Sequence, residues 1–229
     1  MPESNVEIKE FKKIAPGCTF ILGFPGTGMA GSISSEFIIH KKGFEMLGHI
    51  RSPLLPAVAI IRDSRPQAPI RIYGKDKIVV VVADVMIPDS LCHSFAAELV
   101  KWIKLQKPKE VIVLGGIENK DQKDKNYVVS WKAKYLDDIK LDHMKLGFVV
   151  GIYGPLMMEL MENNLPGYLI LTEAQRGPDP KAAAIIVRHV AERIKMDIDP
   201  SSLEKEAGKR REAAKVKGQT WDPYPSIYG

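Results

Sequence analysis

The sequence predicts an α/β domain of three layers, helices on both faces of a mixed, mostly parallel sheet. Three observations predict it. Short apolar runs alternate along the chain with stretches of helical periodicity, the pattern of strand–helix units. Two of those runs, KIVVVVADV (Lys77 to Val85) and EVIVLGGI (Glu110 to Ile117), are apolar without alternation, as strands covered on both faces must be. Between residues 44 and 84 the strand-like pieces crowd together with Pro53, Pro56, Pro66 and Pro69 between them, which asks for hairpin connections and makes the sheet mixed.

Cys18 to Phe24 (CTFILGF) reads as a buried strand ending in a glycine-rich turn, GFPGTGMAG, with a helix from about Met29 to Lys41. Further strands are expected at Phe44 to Ile50, Ala57 to Arg62, Ile70 to Tyr73 and Lys77 to Asp84. Ser90 fits the N-cap of a helix reaching Gln106, whose apolar side carries Phe95, Leu99, Trp102 and Ile103. Pro108 stops it. Beyond Glu110 to Ile117, strands are expected at Gly147 to Tyr153 and Tyr168 to Thr172, each followed by a helix, Pro155 to Asn163 and Pro180 to Lys195.

The domain is expected to occupy residues 1–197. Residues 198–229 read as a charged helix, Ser201 to Lys217, followed by a tail in which Pro223 and Pro225 forbid regular structure.

The chain has 229 residues, 33 basic against 28 acidic, and 45% hydrophobic residues. That composition is globular, and the mild positive charge lacks the interleaved aromatics of a nucleic-acid surface. Lys205, Lys209, Arg210, Arg211, Lys215 and Lys217 read as a solvated helix face or, alternatively, a surface for an anionic partner. No apolar run approaches the roughly 20 residues of a membrane span, and the N-terminal MPESNVEIKE lacks the pattern of a signal peptide. With Cys18 and Cys92 expected as buried free thiols, the reading is a cytoplasmic protein.

The glycine turn, with Gly23, Gly26, Thr27 and Gly28, has two readings. It is a tight turn where a helix passes close to the sheet, or an anion site made of backbone N–H groups at a helix N-terminus. It is not a Walker A loop, because no Lys-Ser/Thr pair follows, and its GxGxxG spacing does not fall in the dinucleotide register. The loop Glu118 to Asn126 is rich in Asp and Lys and reads as solvated or as a cation site. Thr172, Glu173 and Arg176, just past a strand, read as capping and ion pairing or as a polar cluster.

The five histidines make no HxH or HExxH pair, and His93 beside Cys92 points away from it on a helix. No GxSxG elbow is present. No catalytic residue, metal ligand or cofactor is assigned.

Ile227, Tyr228 and Gly229 close the sequence as hydrophobic residue, tyrosine, any residue. The twelve residues after Lys217 would span about 40 Å if extended. They offer an aliphatic side chain, a phenol and a carboxylate to a partner groove.

The segment FILGFPGTGMAG (Phe20 to Gly31), the EVIVLGGI strand and the turn and helix GIYGPLMMEL resemble the proteasome assembly chaperone family over residues 5–195. The resemblance implies a fold similar to the nucleoside phosphorylase type and a homo-oligomer. It also implies an ATP-independent chaperone or activator of the archaeal 20S proteasome. Its tail, here Ile227, Tyr228 and Gly229, would enter pockets between α-subunits. The rival expectation is a nucleoside-phosphorylase-like enzyme or nucleotide binder using Gly23 to Gly31 as an anion site.

Overall fold

The computed structural model describes residues 5–118 and 125–207. Strands β1 (Glu7–Glu10), β2 (Thr19–Gly23), β3 (Glu45–Arg51), β4 (Ile60–Arg62), β5 (Arg65–Gln67), β6 (Ile70–Lys75), β7 (Ile78–Ala83), β8 (Glu110–Glu118), β9 (Asn126–Val129), β10 (Asp142–His143) and β11 (Gly167–Ala174) alternate with helices α1 (Ala30–Lys42), α2 (Asp89–Leu105), α3 (Ala133–Asp138), α4 (Tyr153–Glu162) and α5 (Pro180–Ile194). Nine strands form one sheet in the order β1-β3-β6-β7-β2-β8-β11-β9-β10, and β4 pairs with β5 apart from it.

At the centre, β7, β2, β8 and β11 run parallel, and their residues are almost all buried. Alternate side chains feed two cores. Phe20, Leu22, Val79, Val81, Val111 and Val113 pack with α2 and α4 on one face. On the other, Ile21, Val80, Val82, Ile112 and Leu114 pack with α1 and α5. Burying each such side chain contributes about 1.5–3 kcal/mol, which is why both faces must be covered.

The expectation of a mostly parallel sheet is corrected. Among the described residues β1/β3, β3/β6, β6/β7 and β11/β9 pair antiparallel, as many pairings as run parallel. The cause is turn length. Between β6 and β7 only Asp76 and Lys77 intervene, both at positive φ (46° and 61°), and a two-residue loop can join only antiparallel neighbours.

Three local expectations also change. Gly147 to Tyr153 is no strand: residues 147–150 are irregular and Tyr153 starts α4. Leu146, Phe148 and Val150 stand in solvent, so the apolar run has no sheet to join. The strand expected from Ala57 to Arg62 shortens to β4 and leaves the main sheet. Helix α2 begins at Asp89 after Pro88, one turn position before Ser90, and has no side-chain cap.

Packing continues past residue 197. Residues 201–207 are helical, and Leu203 joins the core beneath α1 and α5, beside Ile198. Arg188 of α5 pairs with Glu204.

Candidate functional site

The glycine turn leads from the C-terminal end of β2 into α1 through a single 3-10 turn, Thr27–Met29. Gly23, Gly26, Thr27 and Gly28 are brought together there, with Gly26 and Thr27 half-buried. Gly28 has φ +67°, and a Cβ on it would lie 2.5 Å from that of Ala174. A Cβ on Gly31, at the start of α1, would lie 2.3 Å from the Leu114 carbonyl oxygen. These positions let α1 lie directly on β8, the close-approach use of glycine.

Two side chains hold the turn. The Tyr153 hydroxyl donates to the carbonyl oxygens of Phe24 and Leu114, at 2.6 and 2.9 Å. Burial pushes this phenol far up, so it remains a neutral donor. The buried Asp179 caps α5, accepting from the backbone N–H groups of Lys181 and Ala182 at 3.0 and 3.1 Å. It also accepts from Gln175 N at 3.0 Å, and its own N–H donates to the Gly28 oxygen at 2.8 Å. Asp179 thus caps α5 and ties its start to the turn, while the glycines let α1 sit against β8.

A second cluster lies beside α1. Arg71 of β6 is fully buried and donates to Asp84 and Glu36, to the Ala68 carbonyl oxygen at 3.1 Å and to the Tyr73 hydroxyl at 3.1 Å. Burial alone would lower its pKa. The hydrogen bond and charge of Asp84, with Glu36 behind it, outweigh that and raise it, so the guanidinium stays charged. Arg62, from the β4–β5 hairpin, reaches Glu36 at 3.0 Å and Asp84 at 3.2 Å, and His40 lies 3.1 Å from Glu36. The cluster pins the hairpin to the domain. A cleft of about 520 Å³ opens next to it, lined by Met29, Ile33, Phe37 and Leu203, with Glu36 and Asp84 on its wall. Sequence reasoning missed this cluster; its only signal was an arginine inside the otherwise apolar run of β6.

The remaining candidates are placed as follows. Cys18 and Cys92 are buried free thiols, each pushed up by burial. Arg176 pairs with Glu118 at 3.0 Å, while Glu173 accepts from Lys125 N at 3.2 Å and from the Tyr127 hydroxyl at 3.4 Å. Thr172 is buried in β11. Among the described residues no group of His, Cys, Asp or Glu is arranged to hold a metal, and no helix is long and apolar enough to cross a membrane. Most of the Glu118 to Asn126 loop and all of Ile227, Tyr228 and Gly229 lie outside the described residues.

A family model described as the PAC2 family matches residues 20–216. An uncharacterized protein of Methanocaldococcus jannaschii is 25% identical over 190 residues, covering 82% of this chain and 79% of its own. Among solved structures, Pyrococcus furiosus PbaA, an archaeal homolog of proteasome-assembly chaperone, is 27% identical with a TM-score of 0.82, over 92% of this chain and 95% of that one. Pyrococcus furiosus PbaB, an archaeal proteasome activator, shares the fold with a TM-score of 0.81 at 18% identity, over 94% of this chain and all of its own.

Proposed function

The chain belongs to the PAC2 family, and from that premise we propose that it is an ATP-independent chaperone or activator of the 20S proteasome, working by protein binding. The observation that carries the reading is the likeness to the archaeal homolog of proteasome-assembly chaperone, which extends over nearly the whole of both chains. The relatives named for a role are a chaperone homolog and an activator, not enzymes.

The docking element in this reading is Ile227, Tyr228 and Gly229, bound by the α-subunits of the proteasome. Ile227 fills an apolar pocket and the Tyr228 ring fixes the orientation of the segment. One such contact is small. A homo-oligomer presents several, and linkage makes each later docking intramolecular, raising avidity by about 10²-fold or more.

The test is co-sedimentation of the full chain with purified archaeal 20S proteasome, beside a version lacking Ile227 to Gly229. The reading expects the full chain to travel with the proteasome and the shortened one to stay behind. Equal binding by both removes the tail from the account, and binding by neither removes the proteasome. Peptidase activity in the same samples separates an activator from an assembly factor.

A further inference from the structure

The β4–β5 hairpin stands apart from the main sheet. Residues 56–59 before it and residues 63–66 at its tip are exposed, so burial does little to hold it. Arg62 ties it to the domain, donating to Glu36 Oε1 at 3.0 Å and to Asp84 Oδ1 at 3.2 Å. Both carboxylates also accept from the buried Arg71. A third contact of Arg62 is different in kind. Nε2 of His40 lies 3.2 Å from Nη1 of Arg62 and 3.1 Å from Oε2 of Glu36. A guanidinium can only donate and a carboxylate can only accept, so one ring nitrogen cannot serve both at once. A neutral ring can leave Nε2 bare and accept from Arg62. A protonated ring carries N–H on both nitrogens, and its Nε2 can then only donate to Glu36.

We propose that His40 is a proton-operated latch on the β4–β5 hairpin. Neutral, the ring gives Arg62 a third acceptor and the hairpin lies on the domain. Protonated, it turns its N–H to Glu36 and sets a positive charge 3.2 Å from the guanidinium. Arg62 then keeps only the two carboxylates it shares with Arg71, and the hairpin loosens while the domain stays folded. Histidine is the side chain that ordinarily changes charge between about pH 5 and 8, so the hairpin is held at the upper end of that range and released at the lower. Solvent protons reach the ring, whose side chain is 64% exposed. The charged groups around it come from every neighbouring element. Glu36 and Lys41 share its helix, Arg62 stands on the hairpin with Asp63 and Arg65 turned to solvent, and Asp84 and Arg71 lie behind. The segment after α5 brings Leu203 to the same cleft and Asp199 to the adjacent Lys41. The latch belongs to the domain itself and does not depend on the proteasome reading.

The experiment is hydrogen exchange read by mass spectrometry on the full chain at about pH 8 and about pH 5, with rates corrected for the intrinsic effect of pH. Amides of β4 and β5 report the hairpin, and those of β8 report the core. The proposal expects hairpin protection to fall about five-fold on acidification, the loss of one hydrogen bond, beyond any change in β8. His40→Gln keeps a neutral acceptor for Arg62 at every pH, and its hairpin is expected to be equally protected at both. His40→Lys carries the charge at both, and its hairpin is expected to be loose at both. Circular dichroism checks that each variant is folded, and His40→Asn replaces His40→Gln if that one is not. An unaltered chain whose hairpin is protected alike at the two pH values overturns the proposal. So does a His40→Gln chain that still loosens on acidification, since another group would then carry the response. A His40→Lys chain whose hairpin stays fully held overturns it as well.

Discussion

Arg71 has no exposed surface, and its charge is held by two carboxylates that lie 13 and 35 residues away in sequence. Replacing it by Met leaves Glu36 and Asp84 facing each other with only Arg62 between them. Removing one member of a buried ion pair costs about 3–5 kcal/mol, so Arg71→Met is expected to lower the unfolding free energy by roughly 3 kcal/mol in urea titration. Arg71→Lys recovers only part of this, because an ammonium cannot fork between two carboxylates. Tyr153 makes a quieter contribution. Its hydroxyl reaches a carbonyl 129 residues away and another on β8. Tyr153→Phe keeps the ring but removes the donor, and a loss of about 1–2 kcal/mol is expected in the same titration. Neither residue was legible as a partner in the sequence, since each finds its contacts only once distant strands are aligned.

At the scale of elements, the sequence declared what burial forces it to declare. Strands β2, β7, β8 and β11 are covered on both faces, so they are apolar throughout and their positions were readable. Strand β1, EIKE, lies at the sheet edge with most of its side chains in solvent, and nothing in its composition marks it as a strand. The opposite error occurred at Gly147 to Tyr153, where apolar residues that face solvent carry the same composition as a buried strand. The glycine turn was found, but its ties to Tyr153 and Asp179, both remote in sequence, were not legible. The seating of α1 on β8 gives a direct check. Gly31→Ala places a methyl group against the Leu114 carbonyl oxygen, and overpacking of this kind costs about 1–3 kcal/mol. A melting temperature lowered by several degrees is expected; an unchanged one would mean the helix can lift without penalty.

For the molecule as a whole, pH dependence follows from two histidines. Burial holds His189 below its usual pKa. Burial, with the charges of Arg51 and Lys9, does the same at His49. A histidine whose pKa is depressed on folding binds its proton more readily in the unfolded chain, so it favours the unfolded state once pH falls below about 6.5. The stability associated with both is complete above that value and is lost on acidification. The expected result is a lower melting temperature at pH 5 than at pH 7.5, with a smaller drop in the doubly substituted His49→Gln, His189→Gln chain.

The α/β class with its mixed sheet and the family were legible in the sequence, because they rest on patterned burial and a distinctive turn. The proposed docking element is only a short motif in the sequence, and its role stands or falls with the partner. The most direct test places a photo-reactive benzoylphenylalanine at Tyr228 and irradiates the full chain in the presence of archaeal 20S proteasome. The account predicts a covalent adduct between this chain and an α-subunit. An adduct with a different subunit, or none while the chain still binds the proteasome, would contradict docking through Ile227, Tyr228 and Gly229.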